Sequence, residues 1–399
     1  MRRIVLVTPF APVRDGRHGS ARAVRGIVMA LAGRHEVVVL HLGDDADLDP
    51  ELTAACIAVH ALAVRAAGPW SRRLRGAAAL ARGRTLWTAE LDVDRVRRCV
   101  RRLAADCRAD VVQVEQGVLG EALAGATPGQ LKVVTIYDPA ALRRESIPLR
   151  REGLPLAHRI DARAALRQER RVLARADAAV VFTERDRRLL ARTGGRAEIV
   201  TIPLGWDVPA AALDPGGAQP PTLLLVGNFT HAPNVEAAVT LATRILPLVR
   251  ATHPEARAEI VGGSPPRQVL ALAGEAVRVS GDVASVTPYL ERAAIVVAPI
   301  ATGGGMRVKL LEALAAGKAT VASSRAAEGL GAIAGEELVV ADGDPAMAAA
   351  ICALLDDDDA RRRMAARARA WAQRELSWSV VAARYEELYA RLDKVRNRG

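Results

Sequence analysis

Short apolar runs alternate along the chain with longer stretches that have the 3.6-residue period of helices. In the first half each run is apolar throughout, which is typical of strands buried on both faces of a parallel sheet. The strands predicted there are 4–7, 37–40, 111–114, 133–136, 179–182 and 199–202. Between the first two, a helix is predicted from about Ser20, with Gly33 as its C-cap. The apolar stripe of that helix consists of Val24, Ile27, Val28 and Leu31.

The same alternation restarts after residues 213–221, whose sequence LDPGGAQPP is typical of a linker. The strands predicted there are 222–226, 258–261, 277–279, 295–298, 320–323 and 338–340. Because strand–helix–strand order gives parallel pairing, the sequence predicts an α/β fold with two Rossmann-like, doubly wound parallel-sheet domains. The first domain is expected at 1–205, a linker at 206–220 and the second domain at 221–375. A helix at 376–399 is predicted to return to the first domain, with Trp378, Tyr385 and Tyr389 as packing residues.

The composition changes this picture little. A chain of 399 residues fits two domains, and 50% apolar with 25% charged residues is typical of a globular protein with a core. The net charge of +11 invites a nucleic-acid hypothesis. Nearly all of the positive charge comes from arginine, since the chain has only the lysines Lys132, Lys309, Lys318 and Lys394. A GC-rich genome produces such an arginine bias whatever the function of the protein. With 3% aromatic residues, few side chains can stack on bases, so we expect no nucleic-acid partner.

Cysteine usage and hydropathy bear on the compartment. The four cysteines are scattered without a C-x-x-C pair, which predicts neither a disulfide framework nor a zinc site. The N-terminal apolar run is too short for a signal peptide, and no stretch reaches the ~18 apolar residues of a membrane span. We expect a cytoplasmic protein without a transmembrane segment. Peripheral membrane contact stays open, because the arginines between 72 and 102 form either a basic face for an anionic acceptor or a solvated helix surface.

The stretch with the most chemical information is 299–317, PIATGGGMRVKLLEALAAG. Three glycines, 303–305, separate a predicted strand from a helix, so backbone N–H groups can approach an anion closely. Lys309, one turn into the helix, can contact a phosphate, and Glu312 on the same face can bond the hydroxyls of a ribose. This spacing fits a nucleoside diphosphate; the alternative is a structural glycine loop with an exposed Lys–Glu pair.

Three further loops follow predicted strands of the second half, where ligands of open α/β sheets bind. They read VGNFTHAPNVEA at 226–237, VGGSPP at 261–266 and VSGDV at 279–283. Asn228 and Asn234 can bond phosphate or sugar oxygens; the alternative is turn or capping chemistry, which we favour for Asn234. In the first loop of the chain, His18 lies between Gly16 and Gly19, with sugar or acceptor contact as one interpretation.

Two D-x-D triplets, Asp342-Gly-Asp344 and Asp92-Val-Asp94, match a motif that binds metal ions in some enzymes. Aspartates before a helix are also ordinary N-caps, and the chain has many of them. We therefore predict no metal site.

Taken together, these segments resemble glycosyltransferase family 4. The likeness rests on GNFTHAPN, VGGSPP, VSGDV, GGGMRVKLLEALAAGKATVAS and AAEGL in the second half, and more loosely on the opening glycine loop and helix. The family implies the GT-B fold, with two domains facing across a cleft, a nucleotide sugar bound by the C-terminal domain and an acceptor bound by the N-terminal one. It also implies transfer with retention of the anomeric configuration. Glu312 matches the second Glu of the family's Glu-x7-Glu motif, and Lys309 matches its phosphate-binding lysine.

The residues that the resemblance and the loops assign form two sets. Those assigned to catalysis are Lys309, Glu312 and Arg307. Those assigned to substrate binding are Gly303, Gly304, Gly305, Met306, Gly227, Asn228, Gly281, Asp282, Val283, Gly16, His18, Gly19, Tyr137 and Asp138.

The chain departs from the family pattern at three places. Gly304 stands where the first Glu of the motif is expected, and Tyr137-Asp138 stands where a His-Asp pair is usual. GNFTHAPN lacks the family's Arg and Lys, a charge that Arg307 or Arg267 can supply.

The sequence thus predicts a hexosyltransferase-type enzyme that moves a sugar from a nucleoside diphosphate sugar to an unidentified saccharide, lipid-linked or small acceptor. No metal and no cofactor beyond the donor are expected. The alternatives are another GT-B enzyme, such as a sugar-nucleotide epimerase or a phosphorylase-like enzyme, and a catalytically silent homologue that binds nucleotide sugar.

Overall fold

The computed structural model describes residues 1–13, 19–43, 49–64, 69–145, 156–302 and 308–397. The chain divides into two compact units, residues 1–205 with 378–399 and residues 206–377. Each unit contains one sheet whose strand pairs are all parallel and whose strands alternate with helices. The predicted fold class, two Rossmann-like parallel-sheet domains, is therefore confirmed.

The sheet of the first unit has seven strands in the order β3-β2-β1-β4-β5-β6-β7. Its strands are β1 (Arg3–Thr8), β2 (Glu36–Leu42), β3 (Ala58–Leu62), β4 (Val111–Glu115), β5 (Leu131–Thr135), β6 (Ala178–Val181) and β7 (Glu198–Thr201). The helices are α1 (Gly19–Ala32), α2 (Pro50–Ala55), α3 (Pro69–Ala81), α4 (Leu86–Glu90), α5 (Val93–Asp106), a 3₁₀ segment (Gly117–Gly125), α6 (Ala140–Glu145), α7 (Leu156–Leu173) and α8 (Glu184–Ala191).

The sheet of the second unit has six strands in the order β10-β9-β8-β11-β12-β13. Its strands are β8 (Thr222–Val226), β9 (Arg257–Val261), β10 (Val277–Ser280), β11 (Ile295–Ala298), β12 (Thr320–Ala322) and β13 (Val339–Val340). Its helices are α9 (Ala232–Thr240), which a π turn (Leu241–Ile245) joins to α10 (Leu246–Arg250), then α11 (Arg267–Leu270), α12 (Thr287–Arg292), α13 (Val308–Ala315), α14 (Ser324–Ala327), α15 (Asp344–Asp356) and α16 (Asp358–Glu375).

Burial explains which strands the sequence could predict. Central strands such as β1 are buried at all but the first position, so residues 4–7 read as an unbroken apolar run. The predictions missed β3, an edge strand of sequence AVHAL in which only Leu62 is buried and the exposed His60 interrupts the apolar residues. The stripe of α1 is buried as predicted, but Gly33 after it is not a left-handed C-cap, since its φ is not positive.

The last helix, α17 (Trp378–Arg396), belongs to the first unit and closes one face of its sheet. Tyr385 and Tyr389 are fully buried, and the Tyr389 hydroxyl donates a hydrogen bond to Gln113 on β4. At the start of the helix, the Trp378 indole lies directly against Gly26 of α1 and Gly205. These two glycines leave the space that the indole occupies.

The segment 206–220, predicted as a linker, is instead held within the second unit. The Leu213 amide donates to Ala316 O at 3.1 Å, and the Ala218 amide donates to Arg292 O at 2.9 Å. The fully buried Lys318 ammonium donates to the carbonyl of Asp214. Burial lowers the pKa of Lys318 to about 8. The stretch is therefore part of a packed surface and not a free connection.

We expect Gly26→Ala to destabilise the first unit. A Cβ at this position would lie 1.8 Å from Cζ2 of Trp378, so the indole would have to move and α17 would lose its packing on α1. Overpacking of this kind costs about 1–3 kcal/mol, more than the gain of up to about 1 kcal/mol from replacing a helical glycine. Urea unfolding measures the loss.

The matched control is Gly33→Ala, just after the same helix. Its Cβ would meet Met29 O at an ordinary 3.6 Å, so no loss of unfolding free energy is expected. Equal midpoints for wild type and Gly26→Ala would show that Trp378 does not lock the helix in place.

Candidate functional site

In the second unit, strand β8 lies between β9 and β11, so the chain leaves β8 towards one side of the sheet and later returns on the other. In open α/β sheets a crevice forms at this reversal, beyond the carboxyl ends of the strands. The loops that begin at Gly227 after β8 and at Pro299 after β11 flank this point. The site is therefore sought there.

Glycines hold the loops after β8, β9 and β10 in close contact. The Gly227 amide donates to Val261 O at 2.9 Å, and a Cβ on Gly262 would lie 1.7 Å from Gly227 O. A Cβ on Gly263 would lie 2.6 Å from Asp282 Oδ1. The structure thus brings the predicted residues Gly227 and Asp282 to one edge, where the absence of side chains allows close approach to the backbone. Val283, beside Asp282, packs against the core cluster of this unit instead.

Lys309 lies in the first turn of α13 and is held by Asn234 of helix α9. Its ammonium donates to Asn234 Oδ1 at 2.5 Å, and Asn234 Nδ2 donates to Asn228 O at 2.6 Å. Asn234 is 9% exposed and lies inside α9, so it caps nothing. The structural role that we favoured for Asn234, turn or capping chemistry, takes the form of a hydrogen bond to the backbone of the loop after β8, and the same side chain connects that loop to Lys309.

Asn228 itself uses its side chain for a turn. Asn228 Oδ1 accepts from Thr230 N at 3.0 Å and from Thr230 Oγ1 at 2.7 Å, the pattern of an Asx turn. Its predicted contact with a ligand through the side-chain oxygen therefore competes with this turn, while its carbonyl oxygen supports Asn234. Gly281 lies at the end of β10, with its Cβ position in ordinary contact with Pro265.

Helix α13 separates an apolar face from the predicted site face. Leu311 and Ala315 are buried, as are Leu310, Ala313 and Leu314, whereas Lys309 and Glu312 are half-buried. Both predicted polar residues therefore lie off the core face. Seven further predicted residues, Gly16, His18, Gly303, Gly304, Gly305, Met306 and Arg307, lie outside the described residues, and Gly19 is the first residue of α1.

In the first unit, Tyr137 faces inward. Its hydroxyl donates to Glu115 Oε2 at 3.2 Å, and its ring meets Phe182 edge-on with centroids 4.7 Å apart. Glu115 is fully buried and also accepts from Gln113 Nε2 at 2.8 Å and Thr135 Oγ1 at 2.9 Å. Tyr137 was predicted to bind substrate; the structure directs its hydroxyl to Glu115, and the residue also lines a pocket.

Burial raises the pKa of the Glu115 carboxyl, and its three hydrogen bonds offset only part of this effect. None of these three partners is a cation. The sequence signal for this residue was present but unused: Glu115 ends the predicted buried strand VVQV, where a carboxylate is exceptional. Asp138, the next predicted residue after Tyr137, is exposed and lies at the rim of the same pocket.

The two D-x-D triplets have structural roles. Asp92 caps α5 by accepting from Arg95 N at 3.2 Å, and Asp342 accepts from Ser324 N at 3.0 Å. Hydrogen bonds from Ser324 lower the pKa of Asp342. Among the residues that the structure describes, no group of three or more His, Cys, Asp or Glu is placed to hold a metal ion. No helix in this part of the chain is both long and apolar enough to span a bilayer.

Each of the two units matches a described protein family. Residues 220–357 match the family described as "Glycosyl transferases group 1", and residues 18–205 match the one described as "Glycosyl transferase 4-like domain". The chain is 33% identical over 204 residues to a phosphatidyl-myo-inositol mannosyltransferase of Mycolicibacterium smegmatis, covering 48% of this chain and 52% of that protein. It thus spans about half the length of that relative.

Solved structures share the fold at low identity. A sucrose-phosphate synthase of Thermosynechococcus elongatus matches with a TM-score of 0.74 and 19% identity, covering 99% of this chain and all of that one. An Anabaena protein solved in complex with UDP-glucose matches with a TM-score of 0.66 and 14% identity, covering 98% of this chain and all of that one.

We expect the stability of the first unit to depend on pH through Glu115. Because folding raises its pKa, its contribution is fully present below the ordinary value and is lost as the pH rises through the raised value. The free energy of unfolding decreases by about 1.4 kcal/mol for every tenfold decrease that folding causes in the acid dissociation constant of this carboxyl. Glu115→Gln keeps the shape without a charge, so its free energy of unfolding should fall less from pH 5 to pH 8.

Glu90→Gln, an exposed carboxylate in the same unit, is the control and should follow the wild-type profile. Parallel profiles for wild type and Glu115→Gln, measured by urea unfolding at each pH, would contradict the burial argument.

Proposed function

We propose that this chain, which belongs to the group 1 glycosyltransferases of GT-B fold, transfers a hexosyl group from a nucleoside diphosphate sugar to an acceptor. The observation that carries the proposal is the lysine at the start of α13, held by Asn234 beside the glycine loops of β8 and β9. A fixed ammonium next to bare backbone is suited to a diphosphate.

Lys309 is assigned the stabilisation of the leaving group. As the bond to the sugar breaks, negative charge grows on the β-phosphate of the nucleotide. A positioned cation lowers the energy of that state more than the energy of the ground state, which is the condition for a rate increase. The amide oxygen of Asn234 orients the ammonium without cancelling its charge.

The remaining donor-binding roles are assigned to residues at the carboxyl ends of the strands in the second sheet. Glu312, three residues after Lys309 and also off the core face, is assigned to the ribose hydroxyls. Gly281 and Asp282 at the end of β10 are assigned to the base. The backbone of 303–305 remains assigned to the transferred sugar from the sequence alone.

The finer features of the reaction are part of the proposal. We infer retention of the anomeric configuration from the family likeness, and a reaction without metal or additional cofactor, with Lys309 supplying the positive charge. The mannosyltransferase relative and the UDP-glucose complex make mannosyl and glucosyl donors the first to test. The first unit is assigned to the acceptor.

Lys309→Met should abolish donor use. Removing the ammonium should lower the affinity for whichever of UDP, GDP or ADP the wild type binds by about tenfold or more, since a charge-assisted contact contributes about 1.5–3 kcal/mol. Release of free nucleotide from the matching hexose donor should fall by about 100-fold or more. Calorimetry and a coupled nucleotide assay measure the two losses.

Lys394→Met, at an exposed lysine near the C-terminus, is the charge-matched control and should behave as wild type. Glu312→Ala should also lose turnover while keeping its unfolding midpoint. Full activity in Lys309→Met or Glu312→Ala would remove the donor site.

Asn234→Ala should weaken diphosphate binding specifically. Without its amide oxygen the Lys309 ammonium is no longer fixed, so affinity for the nucleoside diphosphate should fall about five- to tenfold while affinity for the nucleoside alone is unchanged. Thr243→Ala, exposed in the π turn after α9, is the control. Equal losses for nucleoside and diphosphate would mean that Asn234 only stabilises the fold.

A further inference from the structure

Helix α3 of the first unit turns its large apolar side chains outward. Four residues at i, i+4, i+7 and i+11 form one stripe along its surface, which is called the outward stripe below: Trp70, Leu74, Ala77 and Ala81. All four are exposed, Trp70 to 77% and Leu74 to 71%. A surface helix of a globular domain normally buries such a stripe against the core. A continuous exposed apolar surface of this kind marks an interaction site.

The side of α3 that packs on the unit carries small residues instead. Gly76 and Ala79 are buried, and a Cβ on Gly76 would lie 3.1 Å from Cδ2 of Leu86 in α4. That distance is tighter than ordinary contact, so the absence of a side chain at position 76 lets α4 approach α3 closely. Packing within the unit therefore uses the small residues of α3 and does not account for Trp70 and Leu74.

The sequence around α3 is basic and has no acidic residue. Residues 52–89 contain no Asp or Glu. They contain six arginines, which are Arg65, Arg72, Arg73, Arg75, Arg82 and Arg84. In the described part of the chain no carboxylate pairs with Arg73, Arg75 or Arg82, whereas Arg84 is held in two ion pairs. By helical spacing, Arg73 and Arg75 lie on either side of the outward stripe.

An apolar stripe between arginines indicates the chemistry of the partner. Amphipathic helices with Trp and Leu on one face lie in the plane of a membrane surface, at the boundary between headgroups and acyl chains. Arginines beside that face are attracted to anionic headgroups. The Arg73 guanidinium lies 5.7 Å from the centroid of the Trp70 ring, so a positive charge accompanies the side chain that would enter the bilayer. With 13 residues α3 is about 20 Å long, enough to lie on a bilayer and too short to cross it.

Other partners suit this surface less well. A second copy of the chain, placed on the outward stripe by a twofold axis, would bring the arginines of both copies against one another. The phosphates of a nucleic acid would meet the arginines, but they would leave Leu74 and the two alanines without an apolar partner. An anionic bilayer satisfies both the apolar and the charged part of the surface.

We propose that α3 docks the first unit on the surface of an anionic lipid bilayer. Trp70 and Leu74 enter the boundary between headgroups and acyl chains, and Arg73 and Arg75 contact the headgroups. Of the two interpretations of the arginines between 72 and 102, this is the basic face, restricted to the segment around α3. The proposal goes beyond the transferase function and does not rest on it, because docking requires no nucleotide.

The test is co-flotation of the full chain with lipid vesicles. We expect the wild type to float with vesicles of phosphatidylglycerol and phosphatidylcholine in equal amounts, and not with phosphatidylcholine alone. Salt should weaken binding, since the Debye length falls from about 10 Å at 0.1 M to about 3 Å at 1 M. The double variant Trp70→Gln/Leu74→Gln should lower the partition coefficient about tenfold or more. Arg73→Gln/Arg75→Gln should lower it by a similar factor on the anionic vesicles.

Two matched controls lie in the second unit. Leu248→Gln/Leu270→Gln removes two exposed leucines, and Arg363→Gln/Arg367→Gln removes two exposed arginines of α16 with the same change in net charge. Both should bind vesicles as the wild type does. Trp70→Gln/Leu74→Gln should keep the wild-type Tm, because both side chains are exposed and glutamine is a good helix former.

The proposal is wrong if the wild type does not float with the anionic vesicles, or if it floats equally well with phosphatidylcholine alone. Unchanged flotation of Trp70→Gln/Leu74→Gln would overturn it as well. A dimer in sedimentation equilibrium that this variant dissociates would instead assign the outward stripe to a second copy. Failure of the transferase proposal is separate, since it would appear as no binding of UDP, GDP or ADP while vesicle binding is intact.

Discussion

The hydrogen bond between the Lys309 ammonium and the Asn234 amide is the interaction on which the proposed chemistry depends. A lysine side chain has four rotatable bonds and usually spreads its charge over a wide volume. Here the amide oxygen of Asn234 in α9 accepts from the ammonium at the start of α13, and the Asn228 carbonyl in turn holds the Asn234 amide. The cost of ordering the side chain is thus met during folding, so the charge is in place before any ligand arrives.

Close backbone contact makes that arrangement compatible with a ligand. Gly262 and Gly263 cannot carry a Cβ because Gly227 O and Asp282 Oδ1 occupy the space. The loops after three adjacent strands therefore meet at one edge without side chains between them. The first unit differs in this respect. Directly after β4, Gln116 has a positive φ of the kind that favours glycine, yet it carries a polar side chain that lines the pocket of this unit.

Sequence reasoning succeeded where burial was two-sided and failed where it was not. Strands such as β1 read as apolar runs because nearly every residue is buried, while β3 at the sheet edge is mostly half-buried and is interrupted by the exposed His60. In the site, Lys309 and Glu312 were found because their spacing on a helix is visible in the sequence. The contact of Asn234 with Lys309 and the positive φ of Gln116 were not predicted, since a partner 75 residues away and a backbone dihedral angle are properties of the fold.

Tyr137 shows why a position matched by family likeness need not keep its role. A histidine there would present a polar ring edge, but a tyrosine places its hydroxyl further from the backbone, and in this chain it ends on Glu115 beneath the sheet edge. That carboxyl is buried with a raised pKa and is shared with Gln113 and Thr135, next to the α17 tyrosines. Gln116, directly after β4, lines the same pocket with a positive φ of 72°. The role of position 137 in this chain therefore follows from where its hydroxyl finds an acceptor, and not from which residue occupies that position in the family.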